Sequence, residues 1–467
     1  MSNLFTVADL VKLDILFKPL DGNHGSIHPK SSDYIDTGIP FIMASDLFGG
    51  KVDFDNCKFI SNHLAKTLKK GFAIEGDVLL SHKATIGRTA IVQKNDYPYI
   101  VLTPQVTYYR VKDNTRLNNF FLKFYFASDY FQKVLAQWAS SGSTRAYIGI
   151  TEQLKLPIYM PAIEKQLEIV DILNPLEEKI ELNTQINQTL EQIAQTIFKS
   201  WFIDFDPVHA KAEALANGQT AEQATQAAMA VMSGKNLEEL HRLQTANPEQ
   251  YQQLWEIAEA FPSGVDEEGV PWGWEEKPLP ELIDFLEGPG IRNWQYTEEE
   301  DGIKFINIRC IKNGDLSLET ANKITREEAF GKYAHFQLKE DDIVISTSGT
   351  LGRFALVRNE HLPLCLNTSV IRFRPIENKS TLAFLLGLAS NQLQYELEAR
   401  ASGSVQRNFG PTHLKQISVL LPDFYLLSLH NKYISTLFEL RKSNLRENDL
   451  LMKTRDVLLP KLLSGEV

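Results

Sequence analysis

The spacing of apolar residues predicts two long helices. Between residues 163 and 205, apolar residues recur every three or four positions, as on the seam of a coiled coil. With Leu173 at heptad position a, this seam includes Leu173, Leu176, Ile180, Asn183, Asn187, Leu190 and Ile197. Residues 426–463 repeat the pattern, and their seam includes Ile434, Leu437, Asn444, Asn448, Leu451 and Leu458. About 40 residues rising ~1.5 Å each make a helix that needs a partner to bury its apolar stripe, so we expect the two helices to pair.

Each predicted seam contains two asparagines at equivalent positions. Asn183 and Asn187 correspond to Asn444 and Asn448 after a shift of 261 residues. Polar residues on a seam can fix the register of two helices at some cost in stability. Alternatively, the four asparagines are exposed and coincide only because the two segments share ancestry.

The remaining pattern is mixed and predicts short helices and strands. Helical spacing occurs at Phe59–Leu68 and Asn118–Ala139. Runs rich in β-branched and aromatic residues predict strands at Val78–Leu80, Thr89–Val92 and Val106–Val111. The predicted fold class is therefore α+β.

The second half of the chain repeats the first. Four segments return at offsets between 261 and 265 residues: Gly38–Ile42 as Gly302–Ile306, Glu75–Ser81 as Glu340–Ser346, Thr85–Arg88 as Thr350–Arg353, and Ser140–Ser143 as Ala401–Ser404. Two related copies predict pseudo-two-fold symmetry. Such a protein suits a two-part target, of which duplex DNA is the commonest example.

The repeats and the helical patterns divide the chain into five segments. We expect two mixed α/β domains at 1–160 and 271–424, long helices at 161–206 and 425–467, and an acidic helical insertion or linker at 207–270. In the insertion, the pairs Thr220 with Gln223 and Asn236 with Glu239 have the form of capping boxes. Asn247-Pro248 resembles a third helix start.

The charge distribution bears on whether nucleic acid is a plausible partner. The whole chain carries −11, but Asp204–Asp301 contains 21 acidic and 5 basic residues, a balance of −16, which leaves +5 for the remainder. Phosphate attraction depends on charge within about a Debye length, so the total does not exclude DNA. No apolar run is long enough for a membrane span, so we expect no contact with membranes. The N-terminus lacks a secretory pattern and the three cysteines are scattered, so we expect a cytoplasmic protein.

Motifs for catalysis and metal binding are missing from the sequence. It contains no Walker-type phosphate loop, no Asn-Pro-Pro-aromatic methyltransferase motif and no zinc-ligand pattern. His24 and His28 lie in a Gly-containing loop that is a poor scaffold for a metal. The run Glu298–Asp301 is better explained as a solvated turn than as a carboxylate site.

Two loops in each repeat carry side chains suited to DNA. Hydroxyls and Arg bind phosphates, and Arg and Gln read base edges. The first loops offer Lys83, Thr85 and Arg88 in one copy and Thr350 and Arg353 in the other; the second loops offer Ser143 and Arg145, and Ser404, Gln406 and Arg407. Alternatively, Gly87 and Gly352 merely permit hairpin turns, and each second loop caps a helix.

The order of these parts resembles the specificity subunits of type I restriction-modification systems. The most specific signal is Thr196–Val208, which is similar to the central conserved region of that family. Pro161–Gln166, Trp272–Glu275 and Leu458–Gly465 resemble three further family segments. After Pro422 the chain lacks the Glu-x-Gln step found at Glu164–Gln166, which leaves open how the second long helix begins.

The resemblance implies a non-catalytic subunit that binds a bipartite site in double-stranded DNA. Two target recognition domains would be held apart by an antiparallel pair of long helices. Two modification subunits would carry S-adenosylmethionine, and motor-nuclease restriction subunits would use ATP and Mg²⁺, so this chain would need no cofactor or metal itself. Two alternatives are a coiled-coil scaffold for other proteins and a diverged single-chain nuclease or methyltransferase.

Overall fold

The computed structural model describes residues 3–139, 147–292, 295–400 and 410–466. The chain forms two compact units, the first made of Met1–Leu182 with Glu447–Val467 and the second of Asn183–Arg446. Each unit contains one of the two repeated segments together with part of each long helix.

The first unit is mixed α and β. Its strands are β1 Leu4–Thr6, β2 Leu20–Asp21, β3 Tyr34–Ile35, β4 Ile39–Ile42, β5 Leu47–Phe48, β6 Lys51–Val52, β7 Lys58–Ile60, β8 Phe72–Ala73, β9 Val78–Lys83, β10 Thr85–Ile91, β11 Ile100–Leu102, β12 Val106–Tyr109 and β13 Pro157–Tyr159. Its helices are α1 Val7–Lys12, α2 Asn62–Thr67, α3 Asn119–Ala127, α4 Asp129–Ala139, α5 Ile150–Gln153 and α6 Ile163–Phe202, the last of which continues into the second unit.

The strands of the first unit form two main sheets. The order in one is β2-β12-β9-β10-β6-β5 and in the other β3-β7-β4-β11-β8. The helix α3 begins at Asn118, whose side chain accepts a hydrogen bond from the Phe121 amide. Its residues from Phe121 to Phe126 are all buried, so α3 supplies a large part of the core of this unit.

Two elements of the first unit differ from the sequence prediction. The stretch predicted as one helix at Phe59–Leu68 begins as strand β7, because its residues pair with β3 and β4, and becomes helical only after Ser61 caps α2. The stretch predicted as one helix at Asn118–Ala139 is divided at Ser128. The extended backbone of Ser128 ends α3, and its hydroxyl accepts a hydrogen bond from the Phe131 amide at the start of α4.

The second unit repeats this arrangement and adds four helices before its repeat. Its helices before the second repeat are α7 Asp206–Ala216, α8 Ala221–Ser233, α9 Leu237–Ala246 and α10 Pro248–Ala260. Its strands are β14 Glu275–Pro278, β15 Ile283–Glu287, β16 Ile303–Ile306, β17 Ile311–Lys312, β18 Asp315–Leu316, β19 Asn322–Ile324, β20 Ile343–Ser346, β21 Phe354–Leu356, β22 Leu364–Leu366, β23 Val370–Pro375 and β24 Ser418–Leu421. Its later helices are α11 Arg326–Phe330, α12 Leu382–Asn391, α13 Leu393–Arg400, α14 Pro411–Leu414 and α15 Phe424–Ser464, which returns to the first unit.

Strand pairing is equivalent in the two repeats. The central antiparallel series β12-β9-β10 corresponds to β23-β20-β21. The parallel pair β4–β11, flanked by β7, corresponds to the parallel pair β16–β22, flanked by β19. The terminal pair β1–β13 corresponds to β14–β24. The predicted α+β class and the predicted repeat of domains are therefore confirmed.

The helices α7–α10 form part of the core of the second unit. Capping boxes open α8 at Thr220 and α9 at Asn236, and Asn247 caps α10, as the sequence predicted. Trp201 and Phe202, near the end of α6, pack against Phe261 and Trp274 respectively. The segment Thr196–Val208 therefore contributes to the hydrophobic core of the second unit.

The two long helices run antiparallel in both units. In the second unit, contacts move from Asn187–Asn444 to Glu191–Arg441, so one residue number rises as the other falls. The predicted bounds were close, since α6 ends three residues before Phe205, whose left-handed backbone (φ 54°) precedes α7.

Candidate DNA interface

The first predicted DNA loop is a β-hairpin that carries its side chains on the strands. The turn occurs at Ala84, which has φ 65°, rather than at Gly87. Gly87, with φ 92°, lies where the register of β9 and β10 shifts between Ile86 and Thr89. The alternative that Gly87 merely permits the hairpin turn is therefore wrong, because this glycine instead permits a β-bulge.

A hydroxyl and an amide fix the backbone of this bulge. The Arg88 amide donates a hydrogen bond to Ser81 Oγ at 2.9 Å, and Gln132 Nε2 of α4 donates to the Gly87 carbonyl at 2.9 Å. A Cβ on Gly87 would come within 2.1 Å of the Gln132 side-chain oxygen. The backbone that presents Arg88 is thus held from both sides.

The three candidate residues of this hairpin are exposed. Lys83, Thr85 and Arg88 all face solvent. The Arg88 guanidinium also donates to the carbonyls of Ala44 and Ser45 at 3.0 and 3.1 Å, so a local carbonyl pair orients it. Lys83 Nζ lies 5.8 Å from the centre of the Tyr147 ring. The hairpin therefore presents two cations in defined positions.

In the second repeat the equivalent serine hydroxyl plays the same part, and the connection between strands β20 and β21 is longer. The Arg353 amide donates to Ser346 Oγ at 2.9 Å, and the Ser346 hydroxyl donates to the Thr350 carbonyl at 2.6 Å. Gly352, with φ 75°, packs so closely that a Cβ would lie 2.8 Å from the Gln394 Cα. Thr350 and Arg353 are exposed, as are their counterparts in the first repeat.

The other predicted contact residues cannot be placed. Ser143 and Arg145, and also Ser404, Gln406 and Arg407, lie outside the described residues. Tyr147, just after the first of these segments, pairs with Lys83 in an isolated β-bridge. Tyr147 therefore lies beside the first hairpin.

Sequence analysis missed a buried ion pair that supports each hairpin. Asp77 accepts two hydrogen bonds from Arg110, at 2.8 and 2.7 Å, and Asp342 accepts two from Arg374, at 2.7 and 2.9 Å. Each carboxylate is almost fully buried and also accepts an amide hydrogen bond from three residues earlier. Both aspartates lie in a repeated segment that was recognised, but their arginine partners are about 30 residues away and no local pattern marks them.

His82, next to Lys83, is buried and has no charge to offer DNA. Its Nδ1 lies 3.0 Å from the Ile148 carbonyl oxygen, and burial lowers its pKa to about 4. It is therefore neutral near pH 7 and belongs to the support of the hairpin rather than to its surface.

The predicted helix seam lies away from solvent. Every predicted seam residue is buried or half-buried. The four asparagines are all buried, between 0% and 8% exposed. Asn444 Nδ2 donates to Asn187 Oδ1 at 2.9 Å, and Asn448 Nδ2 lies 3.4 Å from the Ile180 carbonyl. The alternative that these asparagines are exposed is therefore wrong.

The described residues contain no group of three or more His, Cys, Asp or Glu side chains arranged to hold a metal. His24 instead contacts Asp21 at 2.6 Å. Glu298–Asp301 is exposed just before β16, as expected of a solvated turn. Within the same described ranges, no helix is both long and apolar enough to span a bilayer.

Comparison with known proteins relates the repeats to one family. The family model for the type I restriction modification DNA specificity domain matches residues 9–192 and 271–440, one stretch in each repeat. The chain belongs to the type I restriction-modification DNA specificity family. It is accordingly a DNA sequence-specificity subunit, which recognises DNA and is not itself the catalyst. The predicted family and role are confirmed, and neither the scaffold nor the single-chain enzyme alternative gains support.

Individual relatives match over almost the whole chain. The specificity subunit of the type I restriction enzyme HindI from Haemophilus influenzae is 34% identical over 451 residues, covering 92% of this chain and 94% of that protein. The MjaIX specificity subunit of Methanocaldococcus jannaschii is 22% identical over 455 residues, covering 94% of this chain and 89% of its own. A type I system S subunit from M. genitalium aligns with a TM-score of 0.47 and 15% identity over 98% of this chain and 95% of its own.

Proposed function

We propose that segments 1–160 and 271–424 are two target recognition domains, each contacting one half of a bipartite DNA site. Segments 161–206 and 425–467 separate the half-sites as a paired-helix spacer, and 207–270 connects the first helix to the second domain. In this proposal Lys83, Thr85 and Arg88 contact one half-site, and Thr350 and Arg353 contact the other. The proposed DNA contacts also include Ser143 and Arg145 of the first repeat and Ser404, Gln406 and Arg407 of the second.

The observation that supports this proposal is the matched construction of the two hairpins. Ser81 and Ser346 each hold the amide of an exposed arginine at 2.9 Å. A guanidinium held on a fixed backbone can form two parallel hydrogen bonds to guanine or to a phosphate. The scaffold is shared while the side chains at an equivalent neighbouring position differ, Lys83 in one copy and Ser348 in the other, so the two half-sites differ in sequence.

We further propose that the chain acts in the cytoplasm with two modification subunits and with motor-nuclease restriction subunits. Those partners supply S-adenosylmethionine for methylation, and ATP and Mg²⁺ for cleavage. The near-complete coverage of a relative named as a restriction-enzyme specificity subunit supports a partner of this kind. The mild positive balance outside Asp204–Asp301 is small, so most of the affinity for the DNA backbone comes from the partners.

The proposal is tested by long-read sequencing of DNA from cells that carry this chain with its modification gene. Wild type should produce a methylated two-part motif. Arg88→Ala and Arg353→Ala should each relax the sequence requirement in one half only, and in different halves. A lost bidentate base contact lowers discrimination at that base by about 1–3 kcal/mol, which is roughly 5- to 150-fold.

Arg242→Ala is the matched control, because Arg242 is an exposed arginine on α9 and belongs to neither hairpin. It should leave the motif unchanged. An unchanged motif in both hairpin variants, or the same half relaxed by both, would contradict the assignment of these hairpins to separate half-sites.

A further inference from the structure

A single turn of 3₁₀ helix follows the first strand of the parallel pair in each repeat. It spans Ala44–Asp46 after β4 and Ile308–Cys310 after β16. In both repeats, the carbonyl at the end of the turn accepts a hydrogen bond of 2.8 Å from the amide seven residues later. The two turns are therefore structurally equivalent, at an offset of 264 residues.

Both turns lie beside the hairpins of the candidate DNA interface. In the first repeat, the Arg88 guanidinium donates to the carbonyls of two residues of the turn, at 3.0 and 3.1 Å. In the second repeat, a Cβ built on Gly349 would lie 3.3 Å from Ile308 Cδ1. A side chain that extends from the second turn is therefore close to the hairpin that presents Arg353.

The middle position of the turn differs between the repeats. Ser45 in the first turn corresponds to Arg309 in the second. Both residues are exposed. Asn307 holds the backbone of Arg309, because its Oδ1 accepts a hydrogen bond of 2.9 Å from the Arg309 amide and lies 3.5 Å from Arg309 Nε. The second turn thus presents a guanidinium to solvent from a fixed backbone, and the first presents a hydroxyl.

The charges around the two turns have opposite signs. In the first repeat, three carboxylates lie within electrostatic reach of the buried Cys57, those of Asp46, Asp53 and Asp55. In the second repeat, three cations lie within reach of the buried Cys310, those of Arg309, Lys312 and Lys304.

Most of the carboxylates of the first turn are also absent from the second. The positions of Asp46 and Asp53 are taken by Cys310 and Ser317, and only the third keeps its charge, as Glu319. Cations attract the DNA backbone and carboxylates repel it when they lie within about a Debye length. The second turn is therefore suited to DNA, whereas the first turn is not.

We propose that Arg309 is a further base-contacting residue of the second target recognition domain, acting beside Arg353, and that Ser45 has no such role in the first domain. The inference rests on the proposed function, since it adds a residue to a half-site that this function assigns to residues 271–424. A guanidinium can donate two parallel hydrogen bonds to O6 and N7 of guanine. Lys304 and Lys312 strengthen the attraction to nearby phosphates without reading sequence.

The test is long-read sequencing of DNA from cells that carry the full chain with Arg309→Ala and its modification gene. The requirement for one base should relax in the half-site that Arg353→Ala also affects. Loss of a bidentate contact should lower discrimination at that base roughly 5- to 150-fold. The matched control Ser45→Ala, at the equivalent position of the first turn, should leave the motif unchanged. Circular dichroism verifies that each variant is folded.

Arg309→Lys separates base reading from charge. Lysine retains the positive charge but cannot form the two parallel hydrogen bonds of a guanidinium. This variant should therefore relax the same base requirement as Arg309→Ala. A wild-type motif with Arg309→Lys would mean that the position contacts only phosphate, and it would overturn the inference.

Failure of this inference can be distinguished from failure of the proposed function. An unchanged motif with Arg309→Ala, where Arg353→Ala relaxes one half, overturns the inference alone. An unchanged motif in both variants overturns the inference together with the assignment of the second hairpin. Relaxation by Arg309→Ala of the half that depends on Arg88 would also overturn it.

If Arg309→Ala stops methylation altogether, binding by the purified complex of this chain with its modification subunits replaces sequencing. Competition measured by fluorescence anisotropy, with duplexes altered at one base at a time, should show lost discrimination at one base of the second half-site. Discrimination equal to that of wild type at every base would overturn the inference.

Discussion

Substitution of the buried pair Asn187 and Asn444 should have strongly non-additive effects. The two side chains are 7% and 8% exposed and share one hydrogen bond of 2.9 Å. Asn187→Leu leaves the Asn444 amide buried without its acceptor, which costs about 1–3 kcal/mol. Asn444→Leu does the same to the Asn187 carbonyl oxygen. The double variant removes both polar groups, so its free energy of unfolding should return to within about 1 kcal/mol of wild type or exceed it.

Urea unfolding of the four proteins, followed by circular dichroism, measures this double-mutant cycle. The coupling energy between the two positions should be about 2 kcal/mol, larger than the few tenths expected of independent sites. Additive losses, with the double variant the least stable of the four, would refute the reasoning. A double variant that is stable but yields a mixture of half-site spacings in the methylated motif would further indicate that the asparagines fix the register.

Two further substitutions test the support of the site and the core. Gly352→Ala should lower the free energy of unfolding by about 1–3 kcal/mol, because φ is 75° and the new Cβ would lie 2.8 Å from the Gln394 Cα. The midpoint of urea unfolding measures this loss. The control Gly290→Ala should show no such loss, because Gly290 has no positive φ and no atom lies within 4 Å of the added Cβ. His430 is buried, and burial lowers its pKa to about 3, so the unfolded chain binds a proton that the folded chain does not as pH falls from 6.5 towards 3. The free energy of unfolding therefore falls in that window, by about 2 kcal/mol at pH 5. Unfolding measured at pH 5 and pH 7 should show that His430→Leu loses less stability on acidification than wild type. An equal loss in both proteins would contradict this role of His430.

Much of the helical structure could be predicted because its determinants are local. The caps at Thr220, Asn236 and Asn247 act on amides three residues away and opened helices where the sequence placed them. The heptad spacing predicted two long helices, and α15 begins at Phe424, within two residues of the predicted start. The repeat predicted two domains with one plan, since equivalent segments bury equivalent faces.

Elements that depend on distant partners could not be predicted in this way. Phe59 lies in a strand because Pro40 and Ile35 pair with it, although its own segment has helical spacing. The break at Ser128 and the bulge at Gly87 likewise depend on packing between α3, α4 and β10 rather than on local preference. For the candidate DNA surface, the sequence identified exposed arginines in both copies, but the serine hydroxyls and buried Asp–Arg pairs that position them appeared only in the tertiary structure.

The sequence by itself determined the family, the α+β class, the repeat and the two long helices, because periodicity, capping and duplicated motifs are recorded along the chain. Only the tertiary structure decided that Asn187 meets Asn444 across the helix seam, that Asp77 pairs with Arg110, and that the Ser81 hydroxyl holds the Arg88 amide. Those facts depend on which side chains the fold brings within a few ångströms, and residues far apart in sequence give no periodic sign of such contacts.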